Sequence, residues 1–350
     1  VVHDRTTVVV KPAERDPAAW GDALCNDGTP FAYRYRPGAE GSRTWVVHLS
    51  GGAFCDELRN PCHDRERRLT TTRPEADGEP ARDMRRQGLL STDPTVNPTF
   101  ADAHHVDAHY CSSDLWLGDR PERRDTTGSP EGWHFAGRHH VAALVSALPR
   151  LHGLDPSTDA VLFVGTSAGG AGVVGNVDQL VEAWPQMVAA GRLKALIDGA
   201  WVADLPEGTV WPDVDRWGPA QPACARALEA AGRDPVHCVE GPEWWPYVQA
   251  LGVPVLVQIS GADTFQTTVL GIDEPAEKAA WRATVHRSLQ SVDWAFSAAS
   301  AYHIVAVDPR FGKGRPGKRF VDLLDAFWKG EPAQRWLRGY DPSTEPPLEP

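Results

Sequence analysis

The chain has 350 residues, 41% hydrophobic and 23% charged, which is enough to bury one large α/β core or two small ones. A formal charge of −12 excludes sequence-independent binding to nucleic acid, which needs a positive surface to displace counterions. No apolar run reaches the roughly 18 residues of a transmembrane helix, so no membrane span is expected.

The chain opens on Val1-Val2-His3-Asp4, with neither a starting Met nor a basic-then-apolar leader. Either a targeting segment removed ahead of Val1 or a chain trimmed there is the expectation. Trp45-Val46-Val47-His48-Leu49 reads as a short buried strand, broken by Ser50-Gly51-Gly52. From about Asp56 to Pro98 the chain is polar, Arg-rich and dotted with Pro, which predicts a long surface excursion of the kind that forms lids or binding loops. Arg65, Arg67, Arg68 and later Arg120, Arg123, Arg124 are interleaved with Asp and Glu and read as a solvated face. Val106 to Tyr110 alternates weakly and is the next strand. His104, His105, Asp107 and His109 around it resemble a metal cluster. However, His105, Asp107 and His109 alternate along one strand face with no further ligand in view, so a structural or surface role is expected, with no metal and no cofactor.

Gly132 to Leu151 carries Phe135, Val141, Leu144, Val145 and Leu148 at helical spacing. Ala160-Val161-Leu162-Phe163-Val164 is an unbroken apolar run between Asp159 and Gly165, as in a central parallel strand covered on both faces. A helix is predicted from about Gly170 to Ala190, and strands at Lys194–Ile197 and Val253–Ile259. Between those strands, Trp201 to Trp245 is rich in Trp and Pro without periodicity and reads as an insertion over the C-terminal edge of the sheet. Ala280–Leu289 has a helical pattern. His303–Val307 is a strand or the passage from a strand to a helix, and Phe320–Trp328 is an amphipathic helix. Strands alternating with helices predict an α/β fold with a doubly wound, mostly parallel sheet and helices on both faces. One domain over residues 1–350 is expected, with loop insertions at about 56–104 and 201–250 and a Pro-rich tail at 330–350.

The six cysteines form no C-x-x-C pair. Their even number suggests three disulfides and an oxidising compartment, hence a secreted or extracellular protein. Cys55 with Cys62 and Cys224 with Cys238 close short loops, which leaves Cys25 with Cys111.

Gly165-Thr166-Ser167-Ala168-Gly169 fits G-x-S-x-G directly after the buried strand and before a helix, the setting of an α/β-hydrolase nucleophile. The sharp turn needs small neighbours, and it exposes the hydroxyl at a helix N-terminus that favours developing negative charge. Serine is a weak nucleophile, so a histidine must accept its proton and a carboxylate must orient that histidine. The order Ser, acid, His selects Asp263, just beyond the Val253–Ile259 strand, with Asp273 and Glu274 as competitors. It also selects His303, on a loop of small residues, with His286 in a helical pattern as the competitor. Oxyanion donors are expected from the N–H groups of Gly52 and Ala53 after the first strand, and from Ala168 after the serine. Among the 14 tryptophans, Trp116, Trp201, Trp211, Trp244 and Trp245 are candidates to line a cleft. Ser113, Asp114, Trp116 and Trp201 are the candidate substrate contacts.

The segment Gly165-Thr166-Ser167-Ala168-Gly169-Gly170-Ala171-Gly172, running to Asn176-Val177-Asp178, resembles the nucleophile motif of the pectin acetylesterase/Notum family. Leu49-Ser50-Gly51-Gly52-Ala53-Phe54-Cys55 resembles that family's oxyanion loop. Gly88-Leu89-Leu90-Ser91, Asn97-Pro98, Tyr110 to Trp116, Phe135 to Arg138, Asp198 to Asp204, the Asp263 loop and Ala301-Tyr302-His303-Ile304 resemble further blocks, over roughly residues 23 to 310. The resemblance implies an extracellular ester hydrolase with the triad Ser167, Asp263 and His303, oxyanion donors at Gly52, Ala53 and Ala168, and a Cys55–Cys62 bridge. Ala53 stands where the family has a bulky aromatic, which opens the pocket wall. Ser50 stands where it often has Glu, which alters how the loop is braced. The resemblance implies acyl esters on carbohydrate, acetyl above all, as substrate. Fatty-acyl, lipid or polyester cleavage is the alternative, favoured by Ala53 and by a Cys111–Trp116 block on the Notum side. A catalytically silent binding protein on the same fold is the third reading. A monomer is expected.

Overall fold

The structure, a computed structural model, describes residues 6–55, 60–81, 87–126, 129–203, 221–298, 301–313 and 317–337. Among these residues a nine-stranded sheet runs in the order β1-β2-β4-β3-β7-β8-β9-β10-β11. Its strands are β1 (Val8–Val10), β2 (Tyr33–Arg36), β3 (Thr44–Leu49), β4 (His104–Ala108), β7 (Ala160–Thr166), β8 (Leu193–Asp198), β9 (Val255–Gln258), β10 (Trp294–Ser297) and β11 (Arg335–Leu337). From β4 to β11 neighbouring strands are parallel, and β1 and β2 close one edge antiparallel. A separate hairpin joins β5 (Arg120–Thr126) to β6 (Ser129–Phe135).

The expected α/β-hydrolase architecture is present. Side chains alternate along each central strand, so Trp45, Val47, Leu49, Phe163 and Ile197 enter one buried core while Val46, Leu162, Val164 and Leu196 enter the other. Two one-turn helices that open on proline, α1 (Pro12–Arg15) and α2 (Pro17–Trp20), precede the main helices. The first core is covered by α3 (Gly137–His152) and α4 (Ala168–Ala183), which α5 (Pro185–Ala189) follows. It also takes in α6 (Pro222–Ala230), α7 (Gly241–Ala250) and α9 (Pro275–Ser288), while the six-residue α8 (Thr264–Val269) follows β9. The second core is covered by α10 (Phe320–Lys329), whose Phe320, Leu323, Leu324 and Phe327 form an i, i+3, i+4, i+7 stripe.

Several elements differ from expectation for local reasons. The helix predicted from Gly132 starts at Gly137, because Phe135 is the last residue of β6 rather than part of the helical stripe. The helix predicted to Ala190 stops at Ala183, where Trp184 precedes Pro185 and Pro disfavours a helical residue before it. The strand read at Val106–Tyr110 is β4, which begins at His104 and ends at Ala108. His303–Val307 is neither strand nor helix: Val305 and Ala306 donate their N–H groups to the Asp198 carboxylate instead of to a ladder. The excursion after Asp56 does not simply cross the surface, since Leu69 enters the first core and Leu89, Leu90 and Phe100 are fully buried in the second. Of the expected insertions, 56–59, 82–86 and 204–220 lie outside the described residues, as do Asp204 and Trp211. In the Trp- and Pro-rich part, α6 packs against α7, and the Cys224–Cys238 disulfide ties α6 to the short turn Pro235–Val239 that precedes α7. The tail contributes β11, and 338–350 lie outside the described residues.

Candidate active site

Strand β7 delivers Ser167 to a left-handed backbone conformation, φ 56° and ψ −122°, directly before α4. A non-glycine residue there is strained and persists only where its surroundings hold it. The strand and helix around it approach too closely for side chains. A Cβ on Gly165 would meet the Gly169 carbonyl oxygen at 1.9 Å, and one on Gly169 would meet the Leu49 carbonyl oxygen at 1.9 Å. The Ser167 N–H donates to the Asp198 carbonyl at 2.7 Å, which pins the turn to the neighbouring strand.

The three residues selected by chain order meet. His303 Nε2 lies 2.7 Å from Ser167 Oγ, and His303 Nδ1 lies 2.8 Å from Asp263 Oδ2. Asp263 is fully buried and caps α8, with its Oδ1 accepting the Gln266 N–H at 3.1 Å. Both carboxylate oxygens are therefore engaged, which fixes the face presented to the imidazole. The competitors lie elsewhere: Asp273 and Glu274 are exposed at the start of α9, and His286 Nε2 is 3.1 Å from Ser297 Oγ.

Two groups not singled out from composition or spacing complete the arrangement. Asp198 is fully buried at the end of β8, and its carboxylate accepts N–H groups from Val305 and Ala306 on the loop that carries His303. Burial pushes its carboxyl up to about 7, against the pull of those two donors. Phe265 lies against His303 with ring centroids 4.7 Å apart. An acidic residue closing the apolar run of β8 was the available signal for Asp198. Phe265 carries none.

The oxyanion loop runs beside the nucleophile, and a Cβ built on Gly51 would stand 2.9 Å from Ser167 Cβ. Ala53 has φ 54°, and its carbonyl accepts the Tyr110 hydroxyl at 2.8 Å. Ser50 braces the loop from below, with Oγ donating to Asp107 at 2.8 Å and its carbonyl accepting Trp116 Nε1 at 3.0 Å. Asp107 is fully buried between Arg34 and His48, and the far nitrogen of His48 lies 3.0 Å from Thr166 Oγ1, beside the nucleophile. Burial would raise the Asp107 carboxyl, but Arg34 and His48 hold it well below the usual carboxylate range. The His/Asp group on β4 is thus structural: His104 stacks on Trp45, and Asp107 anchors the neighbouring strand β2 and the loop.

A cavity of about 630 Å³, counted with its open mouth, begins at Ser167 and His303. Its walls are mostly apolar, with Ala53, Leu117, Val174, Val239, Trp244 and Phe265 among them. Ala168, Ala171 and Val174 of α4 line it as one i, i+3, i+6 stripe. The small side chain of Ala53 forms part of the wall. Ser113, Asp114, Trp116 and Trp201 do not line this cavity. Trp116 backs the oxyanion loop, and Trp201 packs edge-on against Trp244 with centroids 5.1 Å apart. Ser113 and Asp114 are buried in a turn, where Asp114 accepts from Ser112, Trp116 and Gly137, and burial pushes its carboxyl up to about 6. All three expected disulfides are formed: Cys25–Cys111, Cys55–Cys62 and Cys224–Cys238. Among the described residues, no helix is long and apolar enough to cross a membrane.

Known proteins are similar to this chain in fold and in sequence. The fold matches the structure of the Wnt deacylase Notum from Drosophila with a TM-score of 0.75 at 22% identity, covering 93% of this chain and 94% of that one. Palmitoleoyl-protein carboxylesterase notum1 of Xenopus laevis is 30% identical over 276 residues, 73% of this chain and 54% of that protein. The Homo sapiens palmitoleoyl-protein carboxylesterase NOTUM is 33% identical over 184 residues, 51% of this chain and 34% of its own length. The chain thus spans about half the length of the first relative and a smaller share of the second. The family model described as pectinacetylesterase matches residues 7–288, and the chain belongs to that family.

Proposed function

We propose that this protein hydrolyses carboxylic esters with apolar acyl groups, through a covalent acyl-enzyme on Ser167. The observation that carries the reading is an apolar cavity opening on a serine whose hydroxyl is 2.7 Å from a carboxylate-oriented histidine. Ser167 Oγ attacks the ester carbonyl carbon while His303 Nε2 takes its proton. Asp263, buried against Nδ1, stabilises the imidazolium and holds the ring in place. The tetrahedral oxyanion is received by the N–H groups of Ala53 and Ala168, with Gly52 beside them; the first N–H groups of α4 have no partner within their helix. His303 returns the proton to the leaving alcohol, and water then releases the acid by the same steps.

A fatty acyl group suits the site better than the acetyl-carbohydrate substrate first expected. The walls of the cavity are mostly apolar, and two relatives carry the name palmitoleoyl-protein carboxylesterase. The wall residues from Ala168 to Val174 span six helical positions, about 9 Å. An extended chain advances about 1.2 Å per bond, so roughly seven or eight acyl bonds can lie along this stripe. The three disulfides support the reading of a secreted protein.

Turnover of p-nitrophenyl octanoate by the wild type and by Ser167→Ala tests the proposal. The variant should lose activity by at least about 10⁴-fold while keeping its fold. An alkyl fluorophosphonate should label Ser167 in the wild type. Retained turnover in the variant would remove Ser167 from the mechanism.

A further inference from the structure

The loop that carries the proposed oxyanion donors is held by a cation. Arg65 lies in the excursion read from the sequence as a solvated face, yet it is half-buried and its guanidinium turns inward. Its Nη2 donates to the Gly52 carbonyl at 2.7 Å, and its Nε donates to Ser113 Oγ at 3.2 Å. The Gly52 carbonyl and the Ala53 N–H belong to one planar trans peptide, so they point in opposite directions. Gripping the oxygen therefore sets the direction of the N–H. A charge-assisted bond at the oxygen also draws electron density from the nitrogen, which makes its N–H a stronger donor.

The surroundings fit this role. Gly52 has φ 159° and Ala53 has φ 54°, and a Cβ on Gly52 would meet Tyr110 at 2.7 Å. Such a loop keeps its shape only if anchored from outside. Tyr110 holds the Ala53 carbonyl, and the Ser113 carbonyl accepts the Cys55 N–H at 2.9 Å. The Cys55–Cys62 disulfide ties the turn that begins Arg65 to the end of the same loop, and the Arg65 N–H donates to the Cys62 carbonyl at 3.2 Å.

We propose that Arg65 is a positioning residue of the oxyanion site, fixing and polarising the Gly52–Ala53 peptide whose N–H receives the developing charge. This rests on the reading of Ser167 as nucleophile. The interaction matters most when the carbonyl oxygen becomes an oxyanion, so its loss should appear in kcat rather than KM.

The test compares wild type, Arg65→Met and Arg65→Lys with p-nitrophenyl butyrate and with butylboronic acid, a mimic of the tetrahedral adduct. Arg65→Met should lower kcat by on the order of 10²-fold with KM within about threefold, and boronate affinity should fall in parallel. Arg65→Lys, which keeps the charge but loses the fork, should recover part of both. If Arg65→Met does not fold, the lysine variant decides alone: a parallel fall of about tenfold in kcat and boronate affinity supports the role. Unchanged kcat and boronate affinity in a folded variant, or a change in KM alone, overturns it. Fluorophosphonate labelling separates the two readings. Normal kcat with Ser167 labelled in Arg65→Met rejects Arg65 alone, whereas no label on Ser167 in the wild type rejects both.

Discussion

Asp198 joins the two halves of the site through its backbone and its side chain at once. Its carbonyl holds the Ser167 N–H, and its carboxylate holds the loop that carries His303. The carboxyl is raised from the ordinary aspartate range to about 7, so the folded chain binds more protons than the unfolded chain between about pH 4 and 7. Stability from this group is therefore greatest at the acidic end and is lost as pH rises through 7. Asp198→Asn should accordingly gain stability relative to wild type between pH 5 and 8, measured by urea unfolding at both. A relative loss over that range would contradict the burial argument. Asp263→Asn should lower turnover by on the order of 10⁴-fold, because the imidazole loses its orienting anion. If Asp273→Asn had that effect instead, the acid would be misassigned. The triad was legible because strand, turn and chain order select it from few candidates. The role of Asp198 was not, since it acts through backbone groups more than 100 positions away.

At the scale of elements, α4 does two jobs. Its N-terminus follows the nucleophile, and its Ala168, Ala171 and Val174 stripe lines the acyl cavity. Ala171→Phe should fill the cavity about one turn beyond the serine. Turnover of octanoate esters should fall at least tenfold, while acetate esters stay within about threefold, as pocket discrimination by a few methylenes allows. Equal losses for both esters would mean that the acyl chain does not follow α4. The central strands β3, β7 and β8 were legible as mostly apolar runs, because burial on both faces favours apolar side chains. Strand β2, second from the edge, was hidden. It reads Tyr-Arg-Tyr-Arg, and only the fold reveals that Arg34 pairs with Asp107 and Arg36 reaches His105 and the Leu90 carbonyl. The strands β1, β10 and β11 are three or four residues long, too short for a period to emerge.

The whole molecule is a sheet between two cores, with its chemistry gathered at the C-terminal ends of the strands. The disulfides lie on the first-core side, around the loops that shape the site. Cys25–Cys111 spans 86 positions and joins the chain before β2 to the turn that backs the oxyanion loop. Replacing both with Ser should lower the unfolding free energy by about 2–5 kcal/mol in denaturant titration. No change would mean that neighbouring packing already fixes that turn. Sequence spacing identified all three bridges. It could not show that Cys238 forms part of the cavity wall, which depends on how α6 and α7 fold over the sheet edge.

Ser167 is proposed to act on esters whose acyl chain lies in the apolar cavity. The most direct test is kcat/KM for p-nitrophenyl esters from acetate through palmitate, on wild type and Ser167→Ala in parallel. Each buried methylene is worth up to about 0.8 kcal/mol, so kcat/KM should rise at least tenfold from acetate to octanoate and be lost in the variant. A maximum at acetate, with octanoate slower, would remove the cavity from acyl binding and return the protein to short-chain deacetylation.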